Sequence, residues 1–424
     1  MDIKIMPGAL SGTVNIIPSK SQAHRALICA ALADKPVKII CTETSRDIEA
    51  TAECLRALEA DIQHKEGCFT VSPLDRKKAG DIAVLPCGES GSTFRFLLPV
   101  AGALGREVSF RLDGRLPDRP LSPLYDELIR NGCFLSPQGS NPFMIKGQLA
   151  PGSYSLDAGV SSQFISGLLF ALPLLQGNSE LQLTGNIESF PYIELTLVML
   201  DKFSVETKYR DKCFYISGNT TYRSPGTLNV EGDWSNAAFW LSAGAIGGDG
   251  ITCTGLEINS RQGDRAVTDI LTRFGADVKA DGANITVTKN NLRGIEIDAV
   301  DIPDLVPVLS VVAAAAEGKT VFKNAGRLRG KESDRLAAVT SVLNELGADI
   351  KETEDGLIIH GGTKLKGGTV SSWGDHRIAM TAATAAVLCT EPVIIQGAEA
   401  VNKSYPGFFN ERNKLQCLHS TEIN

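Results

Sequence analysis

The apolar positions of this chain recur on a long period. LTRFGADV from Leu271 and LNELGADI from Leu343 each read as the last turn of an amphipathic helix, a glycine stop and the start of a strand. Weaker versions stand at Leu55 (LRALEADI), Leu128 (LIRNGCFL) and Leu200 (LDKFSVET), so successive starts lie 73, 72, 71 and 72 residues apart. Each is followed by a polar turn between β-rich stretches, as in KADGANITVTK and KETEDGLIIHG, which predicts a hairpin. The next start falls at LQCLH, near residue 415, and the chain ends at Asn424 before a hairpin can follow. The strand-like alternation of DIKIMPGALSGTVNI at the N-terminus is the expected completion of that last unit.

A second series keeps step with the first. Apolar, mostly Ala-rich helices follow polar heads: SKSQAHRALICAAL, SGSTFRFLLPVAGAL, SSQFISGLLFALPLL, DWSNAAFWLSAGAI, DLVPVLSVVAAAA and DHRIAMTAATAAV. With Ser21, Ser92, Ser162, Ser235, Asp304 and Asp375 as markers, the steps are 71, 70, 73, 69 and 71. Helices apolar nearly all round belong in a domain interior. The repeats therefore predict an α/β (α+β) protein of two pseudo-symmetric domains with three units each and buried, parallel helices. The expected division is 1–18 with 229–424 against 19–228, the chain crossing near residues 17–19 and again near 228–232.

Composition narrows the function. Hydrophobic residues at 43% and charged residues at 21% exclude a disordered or fibrous chain. A net charge of −7 argues against binding nucleic acid or an acidic membrane, so a site for anions must be a local gathering of cations. The ten cysteines show no zinc-ligand spacing and several lie in apolar runs such as RALICAAL, which reads as reduced core thiols. The N-terminus has no signal-peptide pattern and no apolar run approaches a membrane span; a soluble, cytoplasmic protein is expected.

The cations gather at the helix heads. Lys20 and Arg25 flank the first, Arg95 lies in the second and Arg377 in the sixth, while Arg119, Lys331, Arg335 and Lys403 stand on loops. A serine or aspartate at a helix start is ordinarily only an N-cap. Lysine and arginine there oppose the helix dipole, and their placement points to a phosphate or carboxylate ligand. GRLRGKES has three residues between its glycines and Glu332 after the lysine, so it is not a nucleotide-binding Walker loop. No Gly-x-Gly-x-x-Gly opens a helix, and Asp301 with Asp304 lacks further ligands; neither a cofactor nor a metal is expected.

SKSQAHRAL, ESGSTFR, DRP, SSQF, SFPYIELT, IPD, KESDRL and DHRIAM follow one another along nearly the whole chain. In that order they resemble the 5-enolpyruvylshikimate-3-phosphate synthase family of enolpyruvyl transferases. The resemblance implies six βαβαββ units in two domains joined by a double crossover. It also implies transfer of the enolpyruvyl group of phosphoenolpyruvate to the 5-hydroxyl of shikimate 3-phosphate, with release of phosphate. Shikimate 3-phosphate would be held by Lys20, Ser21, Arg25, Ser161, Ser162, Gln163, Ser189, Tyr192, Asp304 and Lys331. Ser21 and Arg25 would take its carboxylate and the serines 161, 162 and 189 its phosphate. Phosphoenolpyruvate would be held by Lys20, Gly91, Arg119, Gln163, Arg335, His376, Arg377 and Lys403. Asp304 and Glu332 would be the acid/base pair, with Lys20 beside them.

Two positions depart from the family pattern: Glu89 stands where many members have Asn, and Arg327 where some have Asn. The sister transferase that acts on UDP-N-acetylglucosamine carries a catalytic Cys on a loop that here reads RLDGRLPDRP, without one. A silent binder of phosphorylated metabolites would be expected to lose Asp304 or Glu332, and both are present. Further expectations are a monomer that opens when empty and closes on its substrate, and glyphosate as a competitor of phosphoenolpyruvate.

Overall fold

The computed structural model describes residues 1–75 and 82–416. Residues 417–424, with Cys417 and most of the expected LQCLH start, lie outside the described residues. Twelve α-helices occur among the described residues: α1 (Lys20–Ala31), α2 (Arg46–Ala57), α3 (Gly91–Leu104), α4 (Leu124–Arg130), α5 (Ser162–Ala171), α6 (Phe190–Lys202), α7 (Trp234–Ile246), α8 (Val267–Phe274), α9 (Val306–Ala315), α10 (Arg335–Glu345), α11 (His376–Ala385) and α12 (Phe408–Leu415).

One repeat shows the plan of the others. Strand Ser153–Asp157 leads through α5 to Ser179–Thr184, which runs parallel to it; α6 follows, then the hairpin Thr207–Arg210 and Cys213–Ile216. The last hairpin strand inserts antiparallel beside Ser179–Thr184, so the sheet order is first, second, fourth, third. Two parallel strands cannot share a tight turn, and the crossover helix between them packs on one face of the sheet. The first helix of each repeat is the one read as apolar. Every residue of α9 from Val306 to Ala314 is buried, as is all of α7 except Ser235. The second helix is amphipathic: α8 buries Val267, Ile270, Leu271 and Phe274, one stripe at helical spacing.

Two compact units result, Met1–Ile17 with Glu231–Asn424, and Pro18–Val230. The crossings fall at 17/18 and 230/231, one and two residues from the expected boundaries. Each unit has its own apolar core. The crossings exchange two strands. Thr227–Asn229 pairs in parallel with Val37–Ile40 and so opens the repeat of α1. Ser11–Asn15, which precedes α1 in the chain, instead pairs with Gly250–Thr254 and opens the repeat of α7.

The N-terminal segment does not act as one strand pair. Ile3–Ile5 joins Val393–Gln396 antiparallel and completes the last sheet, as expected, whereas Ser11–Asn15 goes to the α7 repeat. Pro7 and Gly8 separate the two strands, and Gly8 at φ 145° turns the chain from one sheet toward the other.

Candidate active site

In the unit Pro18–Val230 the residues expected at the site sit on four helix heads, except Arg119, which lies on the loop before α4. Ser19 is the N-cap of α1, so Lys20 and Ser21 occupy its first turn rather than its cap. Lys20 Nζ lies 2.9 Å from Asp47 Oδ2 in the first turn of α2. Ser90 caps α3 and Ser161 caps α5, each accepting a backbone N–H through its side chain. Gln163 joins these two heads: its Oε1 accepts from Arg95 Nη1 at 2.8 Å and its Nε2 donates to Ser92 Oγ at 2.9 Å. Close approach of the helices requires Gly167, where a Cβ would meet the Arg95 carbonyl oxygen at 2.4 Å. Gly91 leaves comparable room above α3, where a Cβ would stand 2.9 Å from Arg119 Nη1. Ser189, buried and at φ 53°, precedes α6, and the backbone N–H of Tyr192 donates to its carbonyl.

Arg25 is placed differently from a guanidinium fork reserved for a carboxylate. It is 2% exposed. Its Nε donates to Thr196 Oγ1 at 2.8 Å, Nη1 to the Ser21 carbonyl at 2.7 Å and Nη2 to the Tyr192 carbonyl at 2.8 Å. Two of its five N–H groups thus brace α1 against α6, and a third is spent on its own helix. Burial lowers its pKa to about 10.

In the other unit the expected residues gather around Arg335, at the head of α10 and 2% exposed. Its Nη1 donates to Asp304 Oδ1 at 2.7 Å, Nη2 to Glu332 Oε2 at 2.8 Å and Nε to Asp375 Oδ2 at 2.8 Å. Asp304 lies on a 3-10 turn, Pro303–Leu305, that runs into α9, not at a helix cap as its place in the series of heads suggested. Arg377 Nη2 donates to its other oxygen at 3.0 Å. Lys403 Nζ stands 3.8 Å from Glu332 Oε1. His376 opens α11, buried, behind the N-cap Asp375.

These groups fix each other's charge. Burial alone would raise the Asp304 pKa, but Arg377, Lys331 and Arg335 outweigh it and hold the carboxyl well below the usual carboxylate range. Burial lowers the Lys331 ammonium to about 8, helped by Arg327 and Arg335 and opposed by Asp304. Arg335, among three carboxylates, is driven the other way despite its burial and stays charged. The cluster therefore presents an ionised carboxylate, a second carboxylate on the same guanidinium, and a lysine that titrates near neutrality. It can accept a proton, move one, and attract an anion.

Several participants escaped the sequence reading. Asp47 and Thr51 lie on α2, which has no polar head in the helix series, and only the fold brings Asp47 to Lys20. Asp375, a spacing marker in the series of heads, is the N-cap of α11, and its second role under Arg335 follows from packing. Asp264 is 1% exposed and accepts from Ser235 Oγ. Burial, then Asp304, raises its pKa to about 7. The departures also find places. Glu89 is exposed beside Gly114, and Arg327 Nη2 donates to the Val300 carbonyl at 3.0 Å. Among the described residues no group of three or more His, Cys, Asp or Glu side chains could hold a metal ion.

The family model for EPSP synthase (3-phosphoshikimate 1-carboxyvinyltransferase) matches residues 5–411. The chain is 46% identical over 420 residues to a 3-phosphoshikimate 1-carboxyvinyltransferase of Clostridium kluyveri, covering 97% of each chain. It is 45% identical over 421 residues to that of Clostridium acetobutylicum, again with 97% of each covered. Among solved structures it is similar to an EPSP synthase from Acinetobacter baumannii, with a TM-score of 0.82, 28% identity and 98% of each chain covered. The ordered helix heads, the carboxylate cluster on Arg335 and these full-length similarities agree: the chain belongs to the EPSP synthase family.

Proposed function

We propose that Asp304, Glu332 and Lys20 carry the proton transfers of the family reaction, in which phosphoenolpyruvate gives its 1-carboxyvinyl group to shikimate 3-phosphate. The observation that supports this most directly is the single guanidinium of Arg335, which spans Asp304 at 2.7 Å and Glu332 at 2.8 Å. The 5-hydroxyl adds to the enol carbon while the methylene gains a proton; phosphate then leaves as the new methyl group loses one. The first step needs an acceptor for the hydroxyl proton. The carbon needs a group that gives a proton and later takes it back. Asp304, held ionised, suits acceptance alone. Glu332 is therefore assigned the exchange with carbon, and Lys20 is assigned a part in the same proton traffic.

In the unit Pro18–Val230, Ser161, Ser162 and Ser189 are assigned to the substrate phosphate, with Gln163 and Tyr192 beside them. Ser21 takes the shikimate carboxylate together with the N–H groups that Arg25 keeps. Gly91, Arg119, Lys20 and Gln163 are assigned to phosphoenolpyruvate. In the other unit, Arg335, His376, Arg377 and Lys403 serve phosphoenolpyruvate, and Asp304 and Lys331 serve the shikimate hydroxyls. The enzyme is taken to work as a cytoplasmic monomer, with glyphosate competing for the phosphoenolpyruvate residues. Among the described residues no helix is long and apolar enough to cross a membrane.

The test is phosphate release from the two substrates. Asp304→Asn and Glu332→Gln should each lower kcat by about a hundredfold or more. Absence of release by the unmodified protein, or release only with UDP-N-acetylglucosamine as acceptor, would remove this assignment.

A further inference from the structure

Beneath the heads of α1, α2 and α3 runs a line of buried side-chain hydrogen bonds that the reaction as described does not use. His24 Nδ1 lies 2.6 Å from Thr51 Oγ1, which lies 2.6 Å from Thr93 Oγ1; Thr93 Oγ1 donates to Ser90 Oγ at 2.7 Å. His24, Thr51 and Thr93 are fully buried and Ser90 is 1% exposed. The line starts one helical turn below Lys20, crosses α2 and ends on the cap that precedes Gly91.

Its hydrogens can be ordered from one end. Thr93 has a single hydroxyl hydrogen, and it goes to Ser90. Thr93 Oγ1 must then accept from Thr51, and Thr51, its own hydrogen spent, must accept from His24. His24 is thereby fixed as the donor through Nδ1. Its Nε2 is buried without a hydrogen-bond partner, which a bare lone pair tolerates better than an N–H would. Burial, with Lys20 and Arg25 close by, holds its pKa well below the usual histidine value, so the ring stays neutral. Ser90 Oγ also accepts from the Thr93 backbone N–H at 3.4 Å, so its lone pairs are engaged and the first turn of α3 is set.

We propose that the His24–Thr51–Thr93–Ser90 line, in one hydrogen order with His24 as the neutral Nδ1–H tautomer, positions the α3 head carrying Gly91 and Ser92 against the α1 head carrying Lys20. It is a positioning device for the phosphoenolpyruvate residues, and it rests on their assignment above. Two ties fix α2 to α1 in the same register, Lys20 to Asp47 and His24 to Thr51; Lys20 and His24 are four residues apart on α1, as are Asp47 and Thr51 on α2. The second continues to α3 through Thr93. Thr51 itself is assigned no contact with either substrate.

Thr51→Val is close to isosteric and breaks the line in its middle, while Thr51→Ser keeps the hydroxyl. Steady-state kinetics of Thr51→Val should show a KM for phosphoenolpyruvate raised about fivefold or more, the equivalent of one lost hydrogen bond. The KM for shikimate 3-phosphate should change less than twofold, and Thr51→Ser should restore the unmodified values. A lowered Tm with both KM values unchanged, or a serine variant that restores nothing, would overturn the proposal. Imidazole 15N shifts, assigned with His24→Gln, give a second reading that needs no activity. A neutral Nδ1–H signal for His24 that changes in Thr51→Val supports the line; an Nε2–H or charged ring overturns it. If the unmodified protein released no phosphate, the assignment of Gly91 would fall, and the 15N shifts would decide the hydrogen order by themselves.

Discussion

Among single residues, those whose charge the fold alters most give the sharpest tests. Lys331 is pushed down to about 8, chiefly by burial, with Arg327 one of the cations that add to the effect. If its ammonium donates to the shikimate hydroxyls, kcat/KM for shikimate 3-phosphate falls as pH rises through about 8. Arg327→Asn removes a neighbouring positive charge and should move that limb to higher pH; a pH–rate profile with the limb unmoved would deny Lys331 the role. Asp264 gives a stability test. Its pKa of about 7 in the fold lies above its value in the unfolded chain, because of burial and then Asp304. Between about pH 4 and 7 the folded state therefore holds a proton that the unfolded state has lost, and stability from this group drains away as pH rises. Asp264→Asn cannot ionise and can still accept from Ser235. Its denaturation midpoint relative to the unmodified protein should climb steadily from pH 4 to 7, and parallel pH curves would refute the assignment.

The repeat motif is a statement about helix ends more than about glycine. The fifth residue of each copy has positive φ in all five: Glu59 (75°), Gly132 (104°), Ser204 (57°), Gly275 (107°) and Gly347 (97°). The next N–H returns to the carbonyl of the motif's leucine, as from Ala60 to Leu55, Val205 to Leu200, Ala276 to Leu271 and Ala348 to Leu343. Three copies spell this bend as glycine, and the other two retain the bend with a side chain under strain. The strained copies were legible only as weaker matches, because the spacing survived where the residue did not. Ser204 is exposed, so Ser204→Gly should relieve the left-handed strain with little loss of packing. A gain of about 0.5 kcal/mol, what remains after the added chain entropy of glycine, is expected as a small rise in Tm. The helix heads were legible for a similar reason. Polar residues before apolar helices mark the turn, but not which of them caps it: Ser90, Ser161, Asp233 and Asp375 cap through their side chains, while Ser92 and Ser235 do not.

For the whole molecule, the six-fold period made the architecture readable, and the exchange of strands was the part it could not convey. Nothing in VNI or TLNV says which sheet each segment joins, since pairing partners lie far apart in the chain. That exchange leaves the two units unequally self-contained. Among the described residues, every strand pairing of 18–230 is made within that segment, including Thr227–Asn229 beside Val37–Ile40. In the other unit the N-terminus supplies two strands among the described residues, Ile3–Ile5 on Val393–Gln396 and Ser11–Asn15 on Gly250–Thr254, which residues 231–424 lack by themselves. Each missing strand strips one edge of a sheet of its partner and takes core residues away with it, among them Ile5 and Val14. A fragment of residues 18–230 should therefore fold alone, with a cooperative thermal transition. A fragment of residues 231–424 should expose apolar surface and melt without cooperativity, until a peptide of residues 1–17 is added and restores a transition. Calorimetry of the two fragments, with and without that peptide, separates the cases. Cooperative melting of 231–424 by itself would mean that the exchanged strands decorate a core that is already complete, rather than close it.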